Sequence, residues 1–405
     1  MLFEPYEDEL NYIAKIHKYN SKDYTIIRLT DTMLNKGIID ANVFVRDVLK
    51  KYGVFDFSTL NNGEKELIKV QFIGKRASFE AKMSCYKAKT RGDERFWVYG
   101  KEFRGQVKSG HLIYITVAPE TYKVIIINLS VERIDEIRLS TVFGADKINE
   151  SLTRLVPGIK QIASQGYHLN FKGAGKIAPK DAGDTLEALL GIKTNNQKSA
   201  DFEGVIELKS KISKTLDTLF TLRPQFDGTP IADFEPNDRS RVSAFARYYG
   251  YESDKHPDMC SLYITIGSEY APQNNQGFYL EVNENDRTVE IRKIENSGSH
   301  KAGYWNFDDL ENELHLKHPA TLWVKAESRM NGNIGEFKYV EAELTRSPQF
   351  MTFISLIKSG EVTYDWRGYT TKDGKYSGKN HGNAWRVKKK QRNKLFGSSE
   401  IIDLL

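Results

Sequence analysis

The chain has 405 residues and a formal net charge of +5; 40 % of its residues are hydrophobic, 12 % aromatic and 28 % charged. Such proportions exclude extensive disorder and fit a folded protein of two or three domains. No apolar run reaches membrane-spanning length, Met1 to Leu10 is acidic where a secretion signal is basic, and the two cysteines, Cys85 and Cys260, lack zinc-ligand spacing, so a cytoplasmic protein without membrane contact, disulfide framework or structural zinc is expected.

From about residue 22 to 130 the pattern is strand-like. YTIIRL, IKVQFI, SFEAKMSCY, RFWVYG, HLIYITV and VIIINL are β-rich runs separated by polar turns, and only NVFVRDVLKKYG carries helical spacing. Many short strands with one helix predict a small barrel or sandwich. Residues from about 131 to 160 read as helix and linker, with Pro157-Gly158 as a breaker, and a second domain is expected from about residue 151. Beyond it, helical stretches alternate with GVIELK, SLYITIG, GFYLEVNE, TVEIRKIE, ATLWVKAE and FKYVEAELT, the pattern of an α/β domain on a mixed sheet.

Residues 183 to 211 carry the most specific chemistry. Asp184 three residues before Glu187 has capping-box spacing, Leu186, Leu189 and Leu190 form an apolar stripe, and Gly191 ends the helix. Then come Asp201, Glu207 and Lys209 in the pattern Asp-x(5)-Glu-x-Lys. On a strand, alternate side chains share a face, so Glu207 and Lys209 point one way and Ile206 and Leu208 the other, while Asp201 arrives from the preceding turn. Two carboxylates facing one ammonium suit Mg2+, which takes oxygen ligands and retains waters, with Asp201 and Glu207 as the metal ligands. The plainer reading is an exposed charged stripe beside a turn aspartate.

Positive charge concentrates late. Trp366 to Lys394 holds ten Lys or Arg against one acid, Asp373, a density suited to phosphate contacts. Arg367, His381 and Arg386 are candidates for base edges, while Lys388, Lys389, Lys390, Arg392 and Lys394 are candidates for phosphates. The alternative is a solvated basic helix face.

In order and residue type, the run from Gly183 to Lys209 resembles the catalytic core of the MutH and MvaI/BcnI endonuclease group. The resemblance implies active-site positions for Glu187, Asp201, Glu207 and Lys209. Lys317, standing before Leu322-Trp323, is similar to a further MutH lysine, with Lys325 as a competitor. The NHG-x-A-aromatic-Arg element around His381 and Arg386 resembles the DNA-reading end of MvaI/BcnI-type enzymes. SCYKAKTRGDERFWVYG, after the early YTIIRLTDTMLNKG stretch, resembles the effector domain of EcoRII-type enzymes, shared with plant B-three factors. That likeness implies two DNA-gripping arms, with Arg28 and Lys36 in one and Lys89, Arg91 and Arg95 in the other, against a null in which these turns meet only water or the neighbouring domain. Together the resemblances imply an α+β protein: residues 1–150 a β-pseudobarrel DNA-binding domain, and residues 151–405 an α/β nuclease domain with a central mixed sheet. The implied function is Mg-dependent type II cleavage of double-stranded DNA at a short, G·C-rich site, with a cognate methyltransferase in the same system. A MutH-like strand-nicking repair enzyme and a non-catalytic DNA-binding protein are the alternatives.

Overall fold

In the computed structural model, residues 5–20, 22–75, 78–118, 123–131, 133–192, 199–212, 216–236, 240–296, 298–346, 348–373, 379–380, 382–396 and 399–404 are described. The fold is of the mixed α+β class and divides into two compact units, Met1–Leu152 and Thr153–Leu405.

The first unit contains α1 (Glu7–His17), β1 (Tyr24–Arg28), α2 (Asp31–Lys36), β2 (Ile39–Asp40), α3 (Val43–Lys51), β3 (Lys65–Ile73), β4 (Ser78–Lys87), β5 (Glu94–Tyr99), α4 (Lys101–Gln106), β6 (Leu112–Val117), β7 (Val124–Asn128) and α5 (Glu136–Phe143). Its strands form one curled seven-stranded sheet in the order β1-β6-β7-β3-β4-β5-β2, in which only β3 and β7 run parallel. The central strands read as unbroken apolar runs because both faces are covered. Ile27, Ile113, Ile115 and Ile126 pack with Val45 and Leu49 of α3, while Ile26, Tyr114, Ile125 and Ile127 pack with Ile13 and Ile16 of α1 and Leu139 of α5. The helix expected in NVFVRDVLKKYG is α3, capped by the Asn42 side chain accepting from the Val45 amide at 3.0 Å.

Helix α6 (Lys147–Ser164) contradicts the expected break, since it continues through Pro157. Proline forfeits one backbone hydrogen bond, but Leu155, Ile159, Ile162 and Ala163 are all buried, and this stripe keeps the helix whole.

The second unit continues with β8 (His168–Ala174), α7 (Asp181–Leu189), β9 (Ile206–Lys211), β10 (Asp217–Thr218), α8 (Val242–Tyr249), β11 (Tyr251–Ser253), β12 (His256–Ile266), β13 (Phe278–Asn283), β14 (Thr288–Glu295), β15 (Gly298–Asn306), α9 (Phe307–Lys317), β16 (Ala320–Asn331), β17 (Ile334–Arg346), α10 (Phe350–Lys358), β18 (Val362–Thr371), β19 (Lys379–Asn380), β20 (Ala384–Val387), α11 (Lys389–Leu395) and β21 (Ser399–Ile402). One sheet runs β21-β17-β16-β9, with β8 on β17; a second runs β10-β20-β18-β12-β11, with β19 on β18; a third is β13-β14-β15. Within the first sheet only β9 and β16 are parallel, with Glu207 opposite Thr321 and Lys209 opposite Trp323. Trp305, Tyr364 and Trp385 meet edge to face with centroids 4.6 to 5.2 Å apart, tying the third sheet to the second.

Candidate active site

Strand β9 shows the expected alternation. Ile206 and Leu208 are buried on one side, and Glu207 and Lys209 share the other, where the Lys209 ammonium donates to Glu207 Oε1. Burial of Glu207 is nearly complete, at 2 % exposure, and its Oε2 has no hydrogen-bond partner among the described residues. Asp201 reaches the strand by a tight reversal in which Glu203 and Gly204 take positive φ values of 52° and 72°. Phe202 bridges to Ile206, and Asp201 Oδ2 accepts from the Leu208 amide at 2.9 Å. One oxygen of Asp201 is thereby fixed to the strand, and the carboxylate stands beside Glu207.

Glu187 is delivered by α7, which begins earlier than its sequence pattern predicts. The helix starts at Asp181, the capping box expected at Asp184 does not form, and Leu189 is exposed, so the buried face is Ala182, Thr185 and Leu186. Asp184 instead pairs with Lys172 of β8 at 2.8 Å. Lys172 also reaches Asp181 at 2.8 Å, and the buried Asp181 accepts from Asn170 Nδ2 and the Ala178 amide at 3.0 and 2.8 Å. Helix α7 and strand β8 are pinned together, with Glu187 held within electrostatic reach of Asp201 and of Glu207 on β9.

The electrostatics follow from that crowding. Burial, then the charges of Asp201 and Asp184, push the Glu187 carboxyl up to about 6 against the pull of Lys209. Burial likewise raises Glu207, with Asp201 adding to it while Lys209 and Lys317 oppose. Three carboxylates press on one another, and one buried oxygen lacks a donor. A hard divalent cation would relieve both, and the carboxylate oxygens of Asp201 and Glu207 are of the kind such a cation takes.

Lys317 ends α9 and acts on Glu207 through its charge. The next residue, His318, is fully buried, and burial followed by the Lys209 charge lowers it to about 3. The neutral ring bonds Leu219 O through Nε2 at 2.9 Å, so Nδ1 accepts from the Thr321 hydroxyl at 2.7 Å. Thr321 is the register partner of Glu207, which fixes the end of α9 beside β9. The competitor, Lys325, lies opposite Lys211, past the Lys209–Trp323 pair.

At the basic end the arginines are already occupied. Arg367 on β18 donates to Thr265 Oγ1 at 2.8 Å and Asp365 Oδ1 at 3.0 Å, and Arg386 on β20 donates to Asp365 Oδ2 at 3.1 Å. Asp365, absent from the sequence reading, therefore aligns both guanidinium groups; its D-x-R spacing with Arg367 on one strand face was the available signal. Asn383 Oδ1 adds a bond from the Arg367 amide at 2.9 Å. His381 lies outside the described residues. Lys388, Lys389 and Lys390 are exposed, Lys389 within 3.8 Å of Glu341. Arg392 corrects the expectation of a phosphate contact. It is buried between Asp217, at 3.3 Å, and Glu343, with its guanidinium 4.4 Å above the Trp323 ring. A buried pair of carboxylates claims it because an unpaired charge there is costly.

In the first unit Arg28 corrects another expectation. It is buried, makes a two-pronged ion pair with Glu9 at 2.7 and 2.8 Å, bonds Gly110 O, and lies 4.2 Å over the Tyr6 ring. Arg95 is half-buried between Asp93 and Asp40 at 3.0 and 3.4 Å. Lys36, Lys89 and Arg91 are exposed.

The profile of the MvaI/BcnI restriction endonuclease family matches residues 156–396. Among solved structures, the restriction endonuclease MvaI–cognate DNA substrate complex is similar at 22 % identity, covering 63 % of this chain and 99 % of that one with a TM-score of 0.50, a likeness of fold. MvaI in the absence of DNA is similar at 21 % identity, covering 63 % of this chain and 98 % of that one, with a TM-score of 0.37. No curated protein matches the chain.

Proposed function

We propose, for a chain that belongs to the MvaI/BcnI restriction endonuclease family, that it is a type II enzyme hydrolysing both strands of double-stranded DNA at a short, G·C-rich sequence with magnesium. The observation that carries this reading is the buried Glu207, paired with Lys209 and within electrostatic reach of Asp201, which also acts on Glu187, with an Oε2 that has no hydrogen-bond partner among the described residues.

Asp201 and Glu207 hold the ion. Bound there, magnesium lowers the pKa of water and offsets negative charge on the phosphoryl oxygens. Lys209 turns from Glu207 to orient the attacking water or to donate to a non-bridging phosphate oxygen. Glu187, with its raised pKa, takes up a proton near neutral pH or adds a carboxylate to the ion's surroundings. Lys317 supplies a second positive charge toward the scissile phosphate, held by the His318 anchor. Arg367 and Arg386, held by Asp365 and neighbouring acceptors, exchange some of these bonds for guanine O6 and N7 when DNA binds, and Lys388 and Lys389 meet phosphates.

The first unit is assigned to DNA binding as a B-three-like domain, with exposed Lys36, Lys89 and Arg91 meeting the backbone. If it binds a second copy of the site, cleavage of one-site DNA will rise when effector DNA is added in trans. The protein acts in the cytoplasm beside a cognate methyltransferase that protects host DNA. Plasmid incubated with the full chain and magnesium should give discrete linear fragments, and Lys209→Ala should retain DNA binding while losing roughly 100- to 1,000-fold in rate, the order seen when a transition-state donor is removed. Open-circular product without linear DNA would point instead to a MutH-like nicking enzyme; random degradation, or full activity in the variant, would end the proposal.

A further inference from the structure

Beside Arg367 lies an open cleft whose other wall is a loop between β12 and β13, including Gln273, Asn275 and Gln276, with Tyr251 and Tyr263 across from it. Nothing in the sequence pattern marks this amide-rich turn as functional, yet it is held with unusual completeness. Asn274 turns inward, its Nδ2 donating to Thr265 O, Pro272 O and Phe278 O at 3.1, 2.9 and 2.9 Å. Its Oδ1 accepts from the Gln276 and Phe278 amides, both at 3.1 Å. The base of the loop sits so close to Gly267 that a Cβ there would lie 2.0 Å from Ala271 O, and Gly360, at φ +73°, presses on the same alanine. Lys293 closes the far side by donating to Gln276 O at 2.8 Å.

That scaffold fixes the backbone of Asn275 and Gln276 while leaving their side-chain amides unbonded among the described residues; Asn275 is exposed and Gln276 half-exposed. A rigid loop presenting paired donor–acceptor amides next to an aligned guanidinium has the chemistry of base-edge readout. Carboxamides match the N6 donor and N7 acceptor of adenine, as guanidinium matches guanine. Holding the reading groups on a pre-ordered backbone lowers the ordering cost of each contact.

We infer that the 272–277 loop is a second reading element, in which Asn275 and Gln276 recognise an adenine in the base pair next to the one read by Arg367. The inference rests on the nuclease reading above. Its test uses the full-length protein and a DNA library randomised across the cleavage site, with cleaved ends sequenced and bound fractions separated by gel shift. Asn275→Ala, Gln276→Ala and the double variant should lose preference for adenine at one position by roughly 10- to 100-fold. Other positions should keep their preference, and the relaxed position should adjoin the one relaxed by Arg367→Ala. An unchanged base profile in the double variant, or an equal loss on every sequence, overturns the inference. If the wild-type protein cuts nothing, the nuclease reading fails, and the bound-fraction profile still decides whether the loop reads a base.

Discussion

Strand β9 and the basic C-terminal segment belong to the same unit, but their charged residues have different fates. On β9 the side chains face where strand alternation sends them, and Glu207 is buried with Lys209 on one oxygen and no hydrogen-bond partner on the other among the described residues. In the C-terminal segment positive charge is abundant, yet Arg392 is drawn inward by Asp217 and Glu343, and Arg367 and Arg386 are clamped by Asp365. The difference teaches that a surplus of like charge in sequence does not identify the residues that meet a ligand. What the fold adds is which charges it buries, which it holds against a neighbouring carboxylate and which it leaves incompletely compensated.

The sharpest way to break this comparison is to remove the inward arginine. Arg392→Ala should cost about 3 kcal/mol, because it strands the buried Glu343 carboxylate and leaves the buried Asp217 to Lys211 alone, whereas Lys390→Ala should shift stability by less than about 0.5 kcal/mol. Urea denaturation of both proteins measures the contrast. Lys390→Ala should instead flatten the salt dependence of DNA binding by about one phosphate contact. Equal stabilities would mean that the buried network is not holding α11.

A parallel pair sharpens the same rule in the first unit. Arg28→Ala, which leaves Glu9 buried without its ion pair, should destabilise by roughly 3 kcal/mol, while Arg91→Ala should leave stability unchanged and weaken DNA retention. If Arg28→Ala melts like the wild type and loses DNA binding instead, Arg28 belongs to the gripping arm after all.

The smallest effect concerns Glu187. Its folded carboxyl titrates at about 6, above the ordinary 4.5, so the stability that goes with a raised pKa is fully present below about pH 4.5 and lost as pH rises through about 6. Without a divalent cation, Glu187→Gln should therefore stabilise the protein at pH 8 by on the order of 1 kcal/mol, allowing for screening of a half-buried group, and by nothing at pH 4. Saturating magnesium should reverse the order at pH 8, since the wild type gains binding energy. Calorimetric melting at both pH values gives the answer; a variant less stable at pH 8 without metal would contradict the crowded-carboxylate account.

Legibility in the sequence tracks the range of the forces involved. The strands of the first unit and β9 itself are visible because period-two patterning and local β propensity agree with burial. The Asp201 turn is partly visible, since Gly204 marks it, but the bond to the Leu208 amide is not. Helix α6 was misread at Pro157 because one local breaking signal was weighed without the buried stripe on either side. The burial of Arg28 and Arg392 is not legible in the sequence, because their partners, Glu9, Asp217 and Glu343, come from remote segments that no local pattern brings near. His318 and Asp181 were missed for the same reason: each acts by joining two elements, and joints have no sequence period.

The central claim is that the uncompensated charge around Glu207 is a magnesium-dependent cutting site. Sequencing the DNA ends released from genomic DNA by the wild type and by Lys209→Ala, with and without magnesium, tests it most directly. One recurrent short sequence is expected at the wild-type ends, formed only with magnesium, and none from the variant. Ends without a shared sequence, or the same ends from Lys209→Ala, would contradict it.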